Sequence, residues 1–325
     1  MHKVRTSRLM PPAIVLVGAL AMLLVLSTVS NPGQLSASGP QSGGALPRLG
    51  PQGGASVVAI LRAKQFSQSV ARSTQDNLAG PGGGVVQQPL NSGLLEVAHN
   101  QSLEEIVNSA IGGQSGTWGI YIKHLGSGDG VAINADTQMN VASLYKLQVL
   151  YAAYADERAG QLSLDETLPE GWTVSDALRA MITVSDQDAT FALLRRIGTD
   201  RVNAMMSELG LGQSYVTDWG YSTARETGML LEMIASGQAV DEAASRDMLA
   251  LLFDQQINDR IPAHLPGGIV AHKTGELPGI RNDAGIIYGP SGPYVMVVVT
   301  SGLADEDGAA SAIAAMSHDV YAYFN

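Results

Sequence analysis

Val141-Ala142-Ser143-Leu144-Tyr145-Lys146-Leu147 sets a serine and a lysine three residues apart at the head of an apolar run. On a helix that spacing puts both on one face, one turn apart, where an amine can take the hydroxyl proton. Serine is almost fully protonated near pH 7, so it needs an adjacent base, or a lysine made neutral by burial, to act as a nucleophile. The positive end of a helix dipole favours the alkoxide and depresses the lysine's proton affinity. Val141, Ala142, Leu144, Leu147, Val149 and Leu150 are apolar, so the segment is expected to be buried on most sides. Alone, S-x-x-K is an ordinary match on an amphipathic helix; its weight rests on what lies downstream.

Two further motifs follow. Ser185-Asp186-Gln187 lies in a polar stretch between two helical patterns. A second hydroxyl there can relay a proton to a departing nitrogen when an amide is broken; alternatively Ser185 or Asp186 caps the helix beginning near Ala189. Lys273-Thr274-Gly275 closes an apolar strand pattern. A lysine and a hydroxyl there can bind a substrate carboxylate, and the glycine lets substrate lie against the strand edge.

Outward from these motifs, residues 103–111 read as a helix with Glu104 and Glu105 in its first turn. Residues 117–123 and 131–133 read as a hairpin turning over 126–130. The Ser143 helix runs to about Glu157, and helices are expected over 174–181, 189–197, 200–208, 222–234 and 243–254. Short strands follow over 269–274, 284–288 and 294–300, and a helix over 309–323 closes the chain. Strands at both ends with helices between them predict an α+β sandwich: one antiparallel sheet, from the N- and C-terminal segments, packed against helices.

Charge is uneven along the 325 residues, whose formal net charge is -11. Setting aside Lys3, Arg5, Arg8 and the four basic and two acidic residues of 31–100, the remainder carries 12 basic against 28 acidic residues. Such a domain repels nucleic acid and anionic lipid surfaces, whereas neutral or zwitterionic substrates meet no such barrier. There is no cysteine, which removes disulfides, thiolate metal sites, a cysteine nucleophile and lipid attachment through cysteine. The basic head and the uncharged run 13–29 have the layout of an export signal. The small residues behind it are mediocre cleavage sites, so residues 1–30 are expected to be an uncleaved anchor rather than a removed signal, with the domain outside the cytoplasm in either case. Residues 31–101, rich in Gly, Pro, Ser and Gln, are expected to be a flexible spacer with at most a short helix over 56–70, and residues 102–325 the folded domain.

The three motifs, in this order, resemble the S-x-x-K, S-D-N and K-T-G set of class A β-lactamases and penicillin-binding proteins. The resemblance extends to Arg179-Ala180-Met181-Ile182-Thr183 before Ser185 and to Ala271-His272 before Lys273, and covers residues 103–325. It implies that Ser143 is the acylated nucleophile, Lys146 its proton partner, and Ser185 the relay to the departing nitrogen, assisted by Lys273. It implies an oxyanion hole from the backbone N–H groups of Ser143 and Glu276, which leaves the Glu276 carboxylate a bystander. Gln187, Thr274 and Gly275 would bind substrate. Arg281 would either add positive charge for the substrate carboxylate or pair with Asp283. No metal or cofactor is implied; the substrates would be β-lactams or D-Ala-D-Ala-type stem peptides.

Two departures bear on mechanism. Gln187 replaces the family's asparagine, whose side chain contacts the substrate's own amide. The stretch 212–222 is short and lacks the loop glutamate, with its companion asparagine, that activates the deacylating water in class A enzymes; Asp218 and Glu226 are the only nearby acids. Acylation machinery is therefore complete while deacylation machinery is missing or altered. The alternatives are a penicillin-interactive D,D-peptidase with slow deacylation and a non-catalytic binding domain that keeps the fold. His272 is expected to be structural, since a two-lysine, two-serine scheme has no need of it.

Overall fold

In the computed structural model, which describes residues 101–325, the folded chain begins with a capping box. Ser102 Oγ accepts from the Glu105 amide at 3.2 Å, and the Glu105 carboxylate accepts from the Ser102 amide at 2.8 Å, satisfying donors that a helix start leaves unpaired. Helix α1 (Leu103–Ile111) leads to the hairpin of β1 (Thr117–His124) and β2 (Gly130–Ile133). Strand β3 (Met139–Asn140) precedes a 3-10 turn (Ala142–Tyr145), then α2 (Lys146–Arg158), α3 (Val174–Thr183), α4 (Gln187–Ile197) and α5 (Thr199–Glu208). Strands β4 (Tyr215–Val216) and β5 (Gly220–Ser222) lead into α6 (Ala224–Ala235) and α7 (Glu242–Phe253). The chain closes with β6 (Val270–Leu277), β7 (Ile280–Gly289), β8 (Gly292–Ser301) and α8 (Glu306–Phe324). The anchor expected over residues 1–30 and the spacer over 31–101, with its short helix, lie outside the described residues, Gln101 apart. Among the described residues no helix is long and apolar enough to cross a membrane.

The main sheet has five antiparallel strands in the order β2-β1-β8-β7-β6. Strand β1 pairs with β8 from Thr117 opposite Ser301 to His124 opposite Tyr294, which joins the first and last segments of the domain as the strand pattern required. Both faces of β8 are covered. Tyr294, Met296 and Val298 pack with Ile120, Ile122 and the α1 and α8 residues Val107, Ile313 and Val320. Val295, Val297 and Val299 face the helical region, with Leu147, Leu230 and Leu231. This two-sided burial is why the strand reads as a continuous apolar run rather than an alternating one. Each such side chain contributes roughly 1.5–3 kcal/mol when removed from water. The fold is thus α+β, and β6 is an edge strand lying beside the 3-10 turn.

The structure departs from the sequence reading at several boundaries. Ser143 stands in the 3-10 turn, and the α-helix begins only at Lys146. In 3-10 geometry residues i and i+3 eclipse, so serine and lysine remain neighbours. Strands β6 and β7 are longer than expected, running to Leu277 and back from Ile280. The polar residues Glu276, Arg281, Asn282 and Asp283 in that stretch hid the pairing from a hydrophobicity pattern. The second sheet, β3-β5-β4, was not expected at all. Ser222 ends β5 there, and α6 starts at Ala224 behind Thr223, whose side chain accepts from the Glu226 amide at 3.0 Å.

Candidate active site

The turn that carries Ser143 is held from both sides. Asn140 Oδ1 accepts from the Ala142 amide at 2.9 Å, and the Val141 amide donates to the Gly220 carbonyl of β5 at 2.9 Å. Opposite, β6 approaches so closely that a Cβ at Gly275 would lie 2.7 Å from the Val141 carbonyl oxygen and 3.2 Å from the Ser143 nitrogen. Only glycine permits that approach, which brings the Ser143 and Glu276 segments together. Ala142 takes φ 48°, a left-handed conformation that a non-glycine residue keeps only when its surroundings enforce it. Ser143 is half-buried; Lys146 and Lys273 are fully buried.

The connection between α3 and α4 delivers the second serine. Asp186 Oδ1 caps α4 by accepting from the Ala189 amide at 2.8 Å, while the Asp186 amide donates to the Ala180 carbonyl at 3.1 Å. Asp186 is thus the cap, and Ser185 is left free of that duty. Ser185, at φ 59°, accepts at Oγ from Lys146 Nζ and from Lys273 Nζ, each at 3.1 Å. Lys146 also donates to the Ser185 carbonyl at 2.7 Å, and Lys273 to the Thr274 carbonyl at 2.9 Å. Burial lowers the Lys146 ammonium to about 8, the Asp186 charge partly opposing. Lys273 is lowered to about 7, by burial first and then by the charge of Lys146. Two ammonium groups at one hydroxyl repel, so near neutral pH the pair holds a neutral amine able to accept a proton.

The remaining expected residues divide. Thr274 is buried on β6 between Lys273 and Gly275. Gln187, exposed at the start of α4, donates from Nε2 to the Tyr145 hydroxyl at 3.0 Å. A Cβ at Gly220 would meet the Tyr145 side chain at 2.2 Å, so β5 closes directly over that residue. Arg281 does not pair with Asp283: its Nη2 lies 2.6 Å from Glu306, and Nη1 donates to the Ile280 carbonyl at 3.0 Å. Asp283 is occupied by His272 Nδ1 at 2.9 Å and the Ile261 amide at 3.0 Å. His272 is a structural residue, with Nε2 3.0 Å from Asn258 Oδ1.

The two acids weighed as a deacylating base have different surroundings. Asp218 is exposed in the turn between β4 and β5. Glu226 is buried, accepting from the Gln213 amide at 3.0 Å and the Ser214 hydroxyl at 2.7 Å. A cavity of about 330 Å³ lined by Lys123, Leu209, Met229, Glu232 and others shares no residue with this cleft.

The sequence reading missed Arg260. It is fully buried, its Nη2 donates to Glu276 Oε2 at 2.6 Å, and its charge helps depress Lys273. The Glu276 carboxylate, expected to be a bystander to the chemistry, is thus held in an ion pair with Arg260. The only signal in sequence was a basic residue ahead of β6, in Arg260-Ile261-Pro262, within a domain poor in basic residues.

Residues 101–324 match the family model described as the β-lactamase enzyme family. Among solved structures, a β-lactamase from Sphaerobacter thermophilus is similar at 26% identity, over 68% of this chain and 95% of that one, with a TM-score of 0.63. An ancestral class A β-lactamase is similar at 22% identity, over 69% and 100%, with a TM-score of 0.65. A mutant of PBP-A, solved as its acyl-enzyme complex with penicillin G, is similar at 24% identity, over 68% and 95%, with a TM-score of 0.64. These likenesses show a common fold. Among curated proteins no sequence matches.

Proposed function

The chain belongs to the β-lactamase enzyme family, and on that premise we propose that it is an exported serine acyl-enzyme hydrolase acting on β-lactams or D-Ala-D-Ala-type cell-wall peptides. The observation that carries the proposal is the Ser185 hydroxyl 3.1 Å from both lysine Nζ atoms, beside the turn that presents Ser143. Ser143 Oγ attacks the carbonyl carbon while neutral Lys146 takes its proton. The carbon–nitrogen bond breaks, and the nitrogen receives a proton through Ser185. In a β-lactam the nitrogen stays attached through the opened ring, so the adduct retains the whole drug. The Ser143 and Glu276 amides stabilise the oxyanion, each donor contributing about 3 kcal/mol. Lys273 and Thr274 hold the substrate carboxylate, and Arg260 supplies the further positive charge that Arg281, committed to Glu306, does not.

The long-lived acyl-enzyme of a penicillin-interactive D,D-peptidase is the form of this activity that the positions of the acids favour. Asp218 is out in solvent and Glu226 is consumed by its own hydrogen bonds, so neither supports fast activation of a deacylating water. On the same reading the domain works outside the cytoplasm, tethered by residues 1–30 or released after their cleavage.

Intact-protein mass spectrometry of the full chain with benzylpenicillin, against a Ser143→Ala control, tests this. A gain of one drug mass persisting for hours, absent in the control, is expected. Hydrolysed drug without accumulating adduct would instead mark a fast β-lactamase and overturn slow deacylation. Neither adduct nor hydrolysis would overturn the penicillin-type site and leave a different acyl substrate or the non-catalytic binding domain.

A further inference from the structure

Arg260 lies in the segment that returns from α7 to β6, and that segment is fastened to the sheet by the Asn258–His272 and Ile261–Asp283 hydrogen bonds. The guanidinium is therefore placed rather than free to snorkel outward. Its Nη2 is taken by Glu276 at 2.6 Å, whereas Nε and Nη1 have no hydrogen-bond acceptor among the described residues, Asp259 standing 3.6 Å from Nη1. Lys273, also fully buried, is near enough for the two cations to repel. A desolvated guanidinium with spare donors beside an ammonium is an anion subsite, and the carboxylate of an acyl donor is the anion that the Ser143 reaction brings to it. Glu276 reaches the same guanidinium from the rim, with a side chain 55% exposed.

We propose that Glu276 is a specificity-determining residue: its carboxylate shares the Arg260 subsite and disfavours acyl donors that carry a carboxylate there, relative to donors bearing a neutral ester or amide. This rests on the acyl-enzyme reading of Ser143. An incoming carboxylate either breaks the Arg260–Glu276 pair or sits beside a second negative charge, and both weaken its binding. A neutral group meets neither obstacle. Glu276 is free to turn away because its side chain is half in solvent, so the effect is a bias between substrates rather than a block. Its backbone amide, the expected oxyanion donor, is retained whatever the side chain.

The test measures acylation rates of the full chain and of Glu276→Gln and Glu276→Ala with benzylpenicillin and with its methyl ester, following the Ser143 adduct by mass spectrometry. The ratio of the acid's rate to the ester's is expected to rise roughly tenfold in both variants, because both remove the charge and only glutamine keeps a polar partner for Arg260. A ratio that stays constant, or that falls in Glu276→Ala, overturns the proposal and makes Glu276 a support for Arg260. Absence of adduct from both compounds in all three proteins removes the acyl-enzyme reading itself and this proposal with it. Adduct from the acid in the variants alone is the expected bias at its extreme.

Discussion

At Glu226 a buried carboxylate accepts the Gln213 amide at 3.0 Å and the Ser214 hydroxyl at 2.7 Å, while at Ser185 one hydroxyl is shared by two buried ammonium groups at 3.1 Å each. Both clusters are polar and buried, and they are built on opposite terms. Around Glu226 the serines 214 and 222 and Thr227 form a chain in which donors and acceptors match, joining β5 to the start of α6. Around Ser185 donors outnumber acceptors and like charges face each other. A balanced network stabilises and locates its surroundings; an unbalanced one costs stability and holds an amine ready to lose a proton. The Glu226 carboxylate, one of the two acids near the short stretch 212–222, is thus tied into a matched network, and the imbalance sits with the lysines.

The sharpest way to break this contrast is at Lys146. Replacing it with methionine, close in volume and uncharged, should lower acylation of Ser143 by a factor on the order of a thousand, measured by stopped-flow or mass spectrometry. The same change should stabilise the fold by about 1–3 kcal/mol at pH 6, read as a higher unfolding midpoint. The sign follows from linkage. Unfolded lysine keeps its proton to its ordinary value of 10.5, whereas folded Lys146 loses it at about 8. Between those values the unfolded state binds more protons, so wild-type stability rises with pH there, and the advantage of methionine shrinks. Acylation by the wild type should likewise rise with pH across about 7 to 8, following the neutral lysine, rather than near 10.5.

At the balanced cluster, Glu226→Gln should cost about 1–3 kcal/mol and lower the unfolding midpoint by roughly 5 °C, because an amide N–H₂ replaces an acceptor facing two donors. Acylation and deacylation should change much less than stability. Loss of deacylation with an unchanged midpoint would instead make Glu226 the water-activating base. The smallest effect is expected at Tyr145→Phe, which removes the partner of Gln187 Nε2. It should reduce acylation by about threefold for a penicillin with an acylamino side chain and less for one without it. In a Gln187→Ala background the same substitution should have no further effect.

How much was legible before any coordinates follows the same division. The sheet could be read because β1 and β8 carry apolar runs bounded by turns at opposite ends of the domain. Ser143, Lys146, Ser185 and Lys273 could be picked out because three different short motifs, each ordinary alone, stand in the order of the set they resemble. The small β3-β5-β4 sheet escaped because strands of two or three residues leave no periodicity to detect. Arg260 escaped for another reason: its burial is set by the Asn258–His272 and Ile261–Asp283 tethers, whose partners lie 14 and 22 residues away in the chain.

Residue type and spacing alone determined the α+β class, the S-x-x-K, S-D-Q and K-T-G motifs and the lack of any thiol chemistry, since each depends only on which residues the chain holds and in what order. Which lysines are neutralised by burial, which acid is spent as a structural tie, and which carboxylate reaches Arg260 were decided only by tertiary structure. Those properties depend on solvent exclusion and on charges a few ångströms apart, brought together from strands and loops that the sequence keeps up to 88 residues apart.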